Sequence, residues 1–413
     1  MPLTDNIKRL PKLCDPLDCT GCGACASICP VDAIAMTPGT DGFVRPVIDT
    51  GKCIRCLSCE RTCPVLQTDN NSTNCTEPQV FACWNKDAES RAESSSGGAF
   101  SALATAVFSR GGHVAGAVYD ENMKPVHKLC RSIEDLPRLR GSKYVQSEIG
   151  DVFREIRQDL QAGIEVLFVG TPCQVAGLRS YLKKDYANLI CCDIICHGTP
   201  SPLLFRKYLD WVEAQKSIEV TAFNFRDKKS GWYDAVRMAN HDVCMKGKYD
   251  SYFFGFNRNI SLRESCYRCP AIGLPRKGDL TIADYWGVGM KYKFENINEI
   301  PDGISLIMAN DDKGMNLFES AKMYLNWRKG YFDEALCRNQ PMIKPSSRPT
   351  SRDTFYRDME SMDYEQLRQK YFKISGKAKL IASFREYFPR FCVTGLRKMM
   401  QIIAWRKNGS KSV

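Results

Sequence analysis

No apolar run in this chain of 413 residues approaches the roughly 18 residues that a membrane-spanning helix needs. The N-terminal stretch "MPLTDNIKRLPKL" also lacks the apolar core of a secretory signal peptide. Structural disulfides are rare outside secreted proteins, so we expect the 21 cysteines to be reduced or metal-bound. These absences predict a cytoplasmic protein, long enough for two or three domains.

The chain also lacks an excess of basic residues outside its C-terminal region. Its net charge is +11, and residues 366–413 alone hold twelve Lys or Arg and one acidic residue, which leaves residues 1–365 without net charge. A nucleic-acid-binding body would present a basic face, so we expect no nucleic-acid partner. We assign residues 346–413 to a basic C-terminal tail.

The tail mixes bulky apolar residues with Lys and Arg at near-helical spacing over residues 373–407. Such a segment can lie on an anionic membrane surface, which would place the protein at the inner face of the membrane. A solvated helix pair that packs on the body or on a partner shows the same pattern. Both interpretations stay open at this stage.

Two cysteine quartets dominate the N-terminal region, "CTGCGACASICP" at 19–30 and "CIRCLSCERTCP" at 53–64. Each has the spacing C-x2-C-x2-C-x3-C followed by proline, which is typical of bacterial two-cluster ferredoxins. In those proteins the fourth cysteine of each run ligates the other cluster. We therefore predict one 4Fe-4S cluster on the first set of thiolates below and another on the second. The two sets are Cys19, Cys22, Cys25 and Cys63, and Cys53, Cys56, Cys59 and Cys29.

Structural zinc is the alternative that the C-x2-C pairs allow. A zinc ion takes four ligands and does not require eight cysteines in a repeated pattern with trailing prolines. We assign residues 1–66 to a two-cluster ferredoxin domain and the polar, turn-forming residues 67–79 to a linker.

From residue 80 the sequence alternates between strand and helix patterns. Strands are predicted at 80–84, 113–120, 164–170 and 188–196, and helices at 97–112, 174–184 and within 202–216. This order predicts an α/β body with a largely parallel sheet, so that the whole chain combines α+β and α/β parts. Residues 218–345 are more mixed.

Four cysteines of the body are candidates for a third cluster. Cys173 and Cys196 each follow a buried strand, so both are expected at the carboxyl edge of the sheet, where such folds bind ligands. Cys266 and Cys269 form a C-x2-C pair followed by proline. Single cysteines are often buried small apolar residues, which is the alternative for the first two. His197 is either a proton donor near this edge or a loop histidine.

The segment "ESSSGGAFSALATAVFSRGG" at 93–112 starts a helix with serines and glycines. Free N–H groups at a helix N-terminus beside serine hydroxyls suit a phosphate or pyrophosphate. An ordinary serine cap on a packed helix is the alternative.

Several motifs in order resemble the family of beta subunits of coenzyme F-420 hydrogenases and dehydrogenases, over roughly residues 80–345. They are "SSSGGAFSAL", "GSKYVQS", "GTPCQVAGLRSYL", "CHGTPSP", "NFRDKKSGW" and "SCYRCPAIGLPRKGDLTIADYWG". The resemblance implies an N-terminal part of the body at 80–187, a C-terminal part at 188–345, and a mixed α/β flavin-binding body behind the ferredoxin module.

The resemblance further implies an iron–sulfur oxidoreductase in which FAD joins a two-electron carrier to single-electron clusters. Two motifs would contact the flavin, and Lys143 and His197 are the catalytic candidates. The implied flavin contacts are Ser95, Ser96, Gly97, Gly98, Gly141, Ser142, Lys143 and Tyr144. Asp227, Lys228, Lys229 and Asp284 lie in matching motifs without an assigned role.

Three functions remain open from the sequence. The first is an enzyme that passes electrons between a reduced carrier (a deazaflavin, NAD(P)H or ferredoxin), FAD and clusters, with surface-polysaccharide metabolism as one setting. The second is an electron-transfer subunit that serves a partner enzyme and has no substrate of its own. The third is a metal-binding scaffold without redox activity.

We predict that anaerobically purified protein contains about twelve iron atoms, matching sulfide and one FAD per chain, because three four-iron clusters are expected. Metal, acid-labile sulfide and released-flavin analysis measures this directly. A zinc-rich protein without sulfide would contradict the prediction and leave the scaffold.

Overall fold

The computed structural model describes residues 9–67, 77–229, 231–233, 235–245 and 250–372. The regular elements, in chain order, are α1 (Ala24–Ser27), β1 (Ile34–Pro38), β2 (Val44–Ile48), α2 (Ser58–Thr62), β3 (Gln79–Asn85), α3 (Ala88–Glu93), α4 (Ala99–Phe108), β4 (His113–Tyr119), β5 (Pro125–Cys130), α5 (Leu136–Leu139), α6 (Val152–Gln161), β6 (Val166–Gly170), α7 (Pro172–Leu182), β7 (Leu189–Ile194), α8 (Pro202–Lys216), β8 (Phe223–Asp227), β9 (Val236–Ala239), β10 (Val243–Met245), α9 (Ser251–Asn257), β11 (Leu280–Asp284), β12 (Ser305–Ala309), α10 (Asp312–Ala321), β13 (Leu325–Lys329), α11 (Phe332–Leu336), α12 (Arg352–Met359) and α13 (Tyr364–Tyr371). Short 3-10 turns lie at Ile133–Asp135, Glu264–Arg268, Ile297–Asp302, Lys322–Tyr324 and Gln340–Met342.

The N-terminal module consists of the hairpin β1–β2 and two single-turn helices inside the cysteine runs. β1 and β2 pair antiparallel from Ile34 opposite Ile48 to Pro38 opposite Val44. α1 begins after Gly23, whose φ of 73° lies in the left-handed region that glycine adopts without strain. The residues between the first cysteines therefore turn tightly and bring their thiols to one side.

The body is built on an eight-stranded sheet with the order β13-β3-β12-β11-β7-β6-β4-β5. Only the central pairs β4–β6, β6–β7 and β7–β11 are parallel. The expectation of a largely parallel sheet is thus corrected to a mixed sheet. β5 follows β4 after a five-residue turn held by Asp120, and so short a connection permits only antiparallel pairing.

Alternating side chains of the sheet enter different layers of the core. Ile190 and Cys192 of β7 pack in the layer that contains α4 and α10, while Leu189 and Cys191 pack in the layer that contains α6 and α7. Both cysteines of β7 are fully buried. A strand buried on both faces explains why this segment reads as a continuous apolar run.

The predicted strands and helices of residues 80–216 are present with small shifts at their ends. The strand predicted at 188–196 ends at Ile194, and the helix predicted at 97–112 covers only Ala99–Phe108. Strands from both sides of position 187 join the same sheet. A separate three-stranded sheet, β10-β9-β8, follows α8.

The first part of the predicted tail belongs to the folded body. Phe355 and Met359 of α12 and Leu367 of α13 are buried in one apolar cluster with α8. The membrane-surface hypothesis concerns residues 373–407, which lie outside the described residues, as does most of the linker at 67–79. None of the described helices combines the length and apolar character that a bilayer crossing requires.

Asp193 near the end of β7 fixes the segment between the C-x2-C pair and β11. Its fully buried carboxylate accepts hydrogen bonds from Arg276 Nη2 at 2.9 Å, Lys277 N at 3.1 Å, Gly278 N at 3.0 Å and Thr281 Oγ1 at 2.7 Å. Arg276 is itself almost fully buried. The Asp193–Arg276 pair thus joins β7, which leads to Cys196, to the segment that follows Cys269.

Asp193→Ala is expected to destabilise the protein by about 3–5 kcal/mol, because it leaves the Arg276 guanidinium buried without its carboxylate. Asp210→Ala is the control, since Asp210 pairs with Arg206 on the exposed surface of α8 and should cost no more than about 0.5 kcal/mol. Anaerobic thermal unfolding of both variants measures the difference, and equal melting temperatures would contradict it.

Candidate functional site

The structure places Cys63 of the second cysteine run among the thiols of the first. Burial, with the nearby charges of Cys19 and Cys63, raises the pKa of Cys22 to about 11. Burial and the charges of Cys22, Cys19 and Cys63 also raise the pKa of Cys25. These four side chains therefore form one group, as the crossed ferredoxin pattern predicts.

Cys29 of the first run correspondingly lies beside the second. Burial raises the pKa of Cys59, and the charges of Cys56 and Cys29 act in the same direction. The Cys29 thiol accepts a hydrogen bond from Ala33 N at 3.2 Å. Cys53 lies half-buried in the same loop as Cys56. We refer to Cys19, Cys22, Cys25 and Cys63 as set I, and to Cys29, Cys53, Cys56 and Cys59 as set II.

Cys14 is a ninth thiol of the module that spacing did not single out. Hydrogen bonds from Cys14 lower the pKa values of Cys19 and Cys63 to about 6. Its side chain therefore lies between two members of set I. Only the number of cysteines in the module offered a signal for it, because Cys14 is outside the C-x2-C repeats.

The four candidate cysteines of the body line a single cavity that is partly open to solvent. Cys173 and Cys196 follow β6 and β7, as the sequence predicts. Cys266 lies in the 3-10 turn Glu264–Arg268, and Cys269 directly follows that turn. Cys173 Sγ lies 3.1 Å from Thr171 Oγ1, and Cys266 Sγ lies 3.8 Å from Thr199 Oγ1. We call Cys173, Cys196, Cys266 and Cys269 set III.

The chemistry of set III suits iron–sulfur ligation. Burial raises the pKa of Cys173 to about 12 and that of Cys196 well above its ordinary value, so ionised thiolates require a cationic partner here. A cluster of iron and soft sulfur ligands supplies that charge. In the described part of the chain no group of three or more His, Cys, Asp or Glu side chains has the geometry to hold a single metal ion.

Helix α7 connects set III with set I. Cys173 occupies its first turn, and Gly177 lies one turn later on the same face. A Cβ atom on Gly177 would lie 2.8 Å from Cys22 Cβ and 3.0 Å from Cys22 Sγ. Only a glycine lets the helix approach the cysteine loop this closely, so the two groups of thiols are separated by one helical turn.

The family-like motifs of the body meet beside this edge of the sheet. Ser142 N donates to Ser95 Oγ at 2.8 Å, and Lys228 Nζ donates to Ser96 O and to Asp302 O at 2.9 Å. Burial lowers the pKa of Lys228 to about 7. The residues from three distant motifs thus form one surface.

The glycines of this surface have packing roles. A Cβ on Gly97 would lie 2.4 Å from Cys83 O, because the loop is pressed against β3. Gly98 has a φ of 87° and is the N-cap of α4, without a side-chain cap. Ala99 N at the start of α4 donates to Ser305 Oγ at 3.4 Å. The other N–H groups of the first turn and the nearby serines suit an anionic group, so a flavin phosphate is compatible with the residues present.

Both catalytic candidates, Lys143 and His197, form hydrogen bonds with other residues of the protein. Lys143 Nζ donates to Arg138 O at 3.0 Å, Leu139 O at 3.3 Å and Arg140 O at 2.8 Å, and burial lowers the pKa of Lys143 to about 7. Its ammonium group therefore caps the end of α5.

His197 lines the set III cavity, and its Nε2 lies 2.6 Å from Asn259 Oδ1. Burial lowers the pKa of His197 below its ordinary value, so the neutral ring is favoured. The contact with Asn259 makes Nε2 the protonated nitrogen of that ring. The histidine is thus held at the cavity in one tautomer.

Tyr144 lies over a buried ion pair. Arg226 Nη1 donates to Tyr144 Oη and to Asp284 Oδ2, both at 3.2 Å. Trp232 Nε1 donates to Asp284 Oδ1 at 2.7 Å, and the Trp232 and Trp286 rings stack with centroids 4.4 Å apart. The sequence left the roles of Asp284 and Lys228 unassigned, and in the structure both form hydrogen bonds that hold this region together.

The rings of Tyr144 and Phe256 lie beside set III. Tyr144 packs edge-on against Phe256 at 5.1 Å, His197 packs on the same ring at 5.0 Å, and Cys266 contacts the same apolar cluster. Asp284 ends β11, and Cys196 follows β7, the parallel neighbour of β11. A ring bound beside Tyr144 would therefore lie next to set III.

Three family models match the chain. Residues 18–66 match a 4Fe-4S dicluster domain, residues 80–154 the N-terminal part of the coenzyme F420 hydrogenase/dehydrogenase beta subunit, and residues 164–328 its C terminus. Together the two beta subunit models cover more than half of the chain. They span the motifs on which the resemblance was based.

Two curated relatives are similar over part of their length. One subunit of the F(420)H(2) dehydrogenase of Methanosarcina mazei is 28% identical over 183 residues, 41% of this chain and 51% of the relative. The coenzyme F420-dependent sulfite reductase of Methanocaldococcus jannaschii is 26% identical over 321 residues, 76% of this chain and 48% of the relative. The chain spans about half the length of these relatives.

A solved structure gives a further similarity. One chain in a xenon-derivatised F420-reducing [NiFe] hydrogenase complex from Methanosarcina barkeri aligns with a TM-score of 0.45 and 15% identity. The alignment covers 66% of this chain and 97% of that chain.

Cys266→Ser is expected to remove about four iron atoms per chain and leave sets I and II loaded, because set III loses one of its four thiolates. Cys244→Ser is the control, since Cys244 is exposed on β10 and belongs to none of the three sets. Iron and sulfide analysis of both variants measures the loss. Unchanged iron in Cys266→Ser would contradict a cluster at set III.

Proposed function

Because the chain belongs to the family of coenzyme F420 hydrogenase/dehydrogenase beta subunits and carries a 4Fe-4S dicluster domain in front, we propose that it is an FAD-containing iron–sulfur oxidoreductase. It passes electrons between a reduced two-electron carrier and three 4Fe-4S clusters. The observation that carries this proposal is the placement of set III, one turn of α7 away from Cys22 and beside the surface formed by Tyr144 and Ser95.

FAD, when bound, supplies the exchange between two-electron and one-electron chemistry that such a relay needs. The chain's own residues bind and orient it in this proposal. The start of α4 with Ser95 and Ser96 faces its phosphates, and Gly141, Ser142 and Tyr144 border its ring. Lys143 keeps this loop in place by capping α5, and Gly97 and Gly98 shape the loop on the other side. Lys228 holds the phosphate loop in place through the Arg91, Ser96 and Asp302 carbonyls.

Sets I, II and III act as single-electron relays. Set I approaches set III across α7, where Gly177 packs on Cys22, while Cys29, Cys53 and Cys56 of set II are half-exposed. Electrons thus have a path from the body, through set III and set I, to set II. Cys173, Cys196 and Cys266 are half-buried in the wall of their cavity, and burial raises the pKa of each thiol.

A deazaflavin is the carrier that the names of both curated relatives favour. NAD(P)H and reduced ferredoxin are the other candidates. The anaerobic protein should show bleaching of its flavin band and then of the cluster absorbance after addition of the reduced deazaflavin. Bleaching with NADPH alone would change the assigned carrier, and no bleaching with any of the three donors would contradict the proposal.

A second candidate function is electron transfer to a partner enzyme, with this chain as one of its subunits. The exposure around set II favours it: Ile54, between Cys53 and Cys56, is 55% exposed, and Val31 after Cys29 is 38% exposed. Apolar side chains beside an electron outlet suit contact with a redox partner. Steady turnover of a small-molecule acceptor without any added protein would favour the independent enzyme over this role.

Two finer proposals have less support. A role in surface-polysaccharide metabolism has no counterpart in these relatives, and it stays a hypothesis that neighbouring genes would test. Peripheral membrane association depends on residues outside the described ranges. We expect no nucleic-acid partner, because residues 1–365 carry no net charge.

Gly177→Ala is expected to slow electron transfer from the flavin to the clusters of the module several-fold. The added Cβ would lie 2.8 Å from Cys22 Cβ, so α7 and the cysteine loop must separate. Reduction of the flavin by the carrier should be unchanged. Anaerobic stopped-flow absorbance resolves the two phases.

Ser180→Ala, on the same helix, is the control for this variant and should leave both phases unaltered. Iron content of Gly177→Ala must match that of the unmodified protein for the comparison to hold. Equal rates of cluster reduction in Gly177→Ala and the unmodified protein would show that α7 does not set the distance between sets III and I.

A further inference from the structure

Arg237 is a buried cation without a full set of partners. Only 2% of the residue is exposed, yet in the part of the chain that the structure describes its Nε and Nη1 have no hydrogen-bond partner. Its guanidinium lies 3.9 Å from the centroid of the Phe253 ring. Two buried guanidinium donors without acceptors are unfavourable, so an anionic group of a ligand is expected to complete the environment of Arg237.

The neighbouring carboxylate of Asp250 offsets part of the charge of Arg237, but it accepts hydrogen bonds from other residues. Asp250 lies near Arg237, but its Oδ1 accepts from Phe253 N at 2.9 Å and its Oδ2 accepts from Tyr208 Oη at 2.7 Å. Among the described residues no carboxylate forms an ion pair with Arg237. The charge of Asp250 acts on Arg237 from nearby, but Nε and Nη1 of Arg237 have no acceptor within the described ranges and stay available to a bound group.

The position of Arg237 indicates which group that is. It lies on β9, which pairs with β8, and Phe253 links it to Tyr144 through an edge-on contact at 5.1 Å. Lys228 at the end of β8 reaches Ser96, whereas Arg226, two residues earlier, reaches Tyr144. β8 thus runs from the proposed phosphate end of the flavin surface to its proposed ring end, and Arg237 is at the ring end.

We propose that the Arg237 guanidinium stabilises the negative charge that the flavin ring acquires on two-electron reduction. This inference rests on the proposed function, because it requires that FAD binds beside Tyr144. Arg226 cannot serve equally, since its charge is already neutralised by Asp284. A positive charge near the pyrimidine part of the ring is one of the ways in which a protein tunes a flavin.

The charge balance defines the test. A hydride from the carrier delivers two electrons and one proton to N5 of the ring, the carrier leaves oxidised, and one negative charge remains at N1 and the C2 oxygen. Sulfite produces the same charge without reducing the clusters. Its lone pair forms an S–N5 bond, and the displaced electron pair of the ring comes to rest at N1 and the C2 oxygen.

The experiment compares sulfite titrations of the anaerobic, fully loaded protein with those of Arg237→Met and Arg237→Lys. Loss of the visible flavin band measures the adduct. Arg237→Met should weaken the adduct at least about tenfold, and Arg237→Lys should restore most of the affinity because it keeps the charge. A tenfold change in the stability of the charged ring corresponds to about 30 mV in a two-electron potential.

Methionine replaces a buried charge by an apolar chain of similar length, so Arg237→Met is expected to fold. Arg157→Met is the matched control, because Arg157 stacks on Tyr181 at 4.8 Å on the other side of the body and should not alter the titration. Equal sulfite affinity in Arg237→Met and the unmodified protein would overturn the inference. So would the absence of any adduct in unmodified protein that contains FAD.

Released-flavin analysis separates this inference from the proposed function. No FAD in the unmodified, iron-loaded protein refutes the proposed function, and this inference with it. Stoichiometric FAD in the unmodified protein and in both Arg237 variants, together with unchanged sulfite affinity, refutes this inference alone.

Discussion

The buried guanidinium of Arg263 joins the cysteine-rich module to the body. Arg263 donates to Cys19 O at 2.6 Å, to Val44 O at 2.9 Å and to Gln146 Oε1 at 2.8 Å, while Gln146 donates to Thr20 O at 3.1 Å. Hydrogen bonds of a charged donor inside the protein are strong and directional. They hold the set I loop against the body, and the same residue lies three positions before Cys266 in the chain.

This fixed contact explains why a relay is the natural function of the arrangement. Electron transfer between clusters requires that their positions are held, and a module on a flexible tether would not keep set I beside set III. Arg154 adds a second point of attachment, since it donates to Ser27 O at 3.0 Å and to Ala26 O at 3.2 Å. Phe43 of the module is also fully buried in the apolar cluster of α8. The module is therefore part of the core as well as an electron carrier.

The sequence predicted the elements of residues 80–216 because buried strands and small-residue helices have distinct periods. The ferredoxin spacing of the thiols predicted the 4Fe-4S dicluster domain, and the matching models confirm that domain and the family resemblance. The sheet order was missed because β3, β12 and β13 pair antiparallel over long separations that no local pattern encodes. Gly177, Arg237 and Arg263 act through contacts with distant residues, and a single arginine or glycine carries no signal of such a contact in one sequence.

The central claim of the proposal is that set III holds a third cluster, one turn of α7 away from the cluster of set I. Low-temperature EPR of the air-free, dithionite-reduced protein tests it most directly, through the total spin and the shape of the signal. The account predicts one paramagnetic reduced cluster for each set, with broadened, split features from magnetic coupling between neighbours. Two sharp, independent ferredoxin-type signals with no third contribution would contradict it.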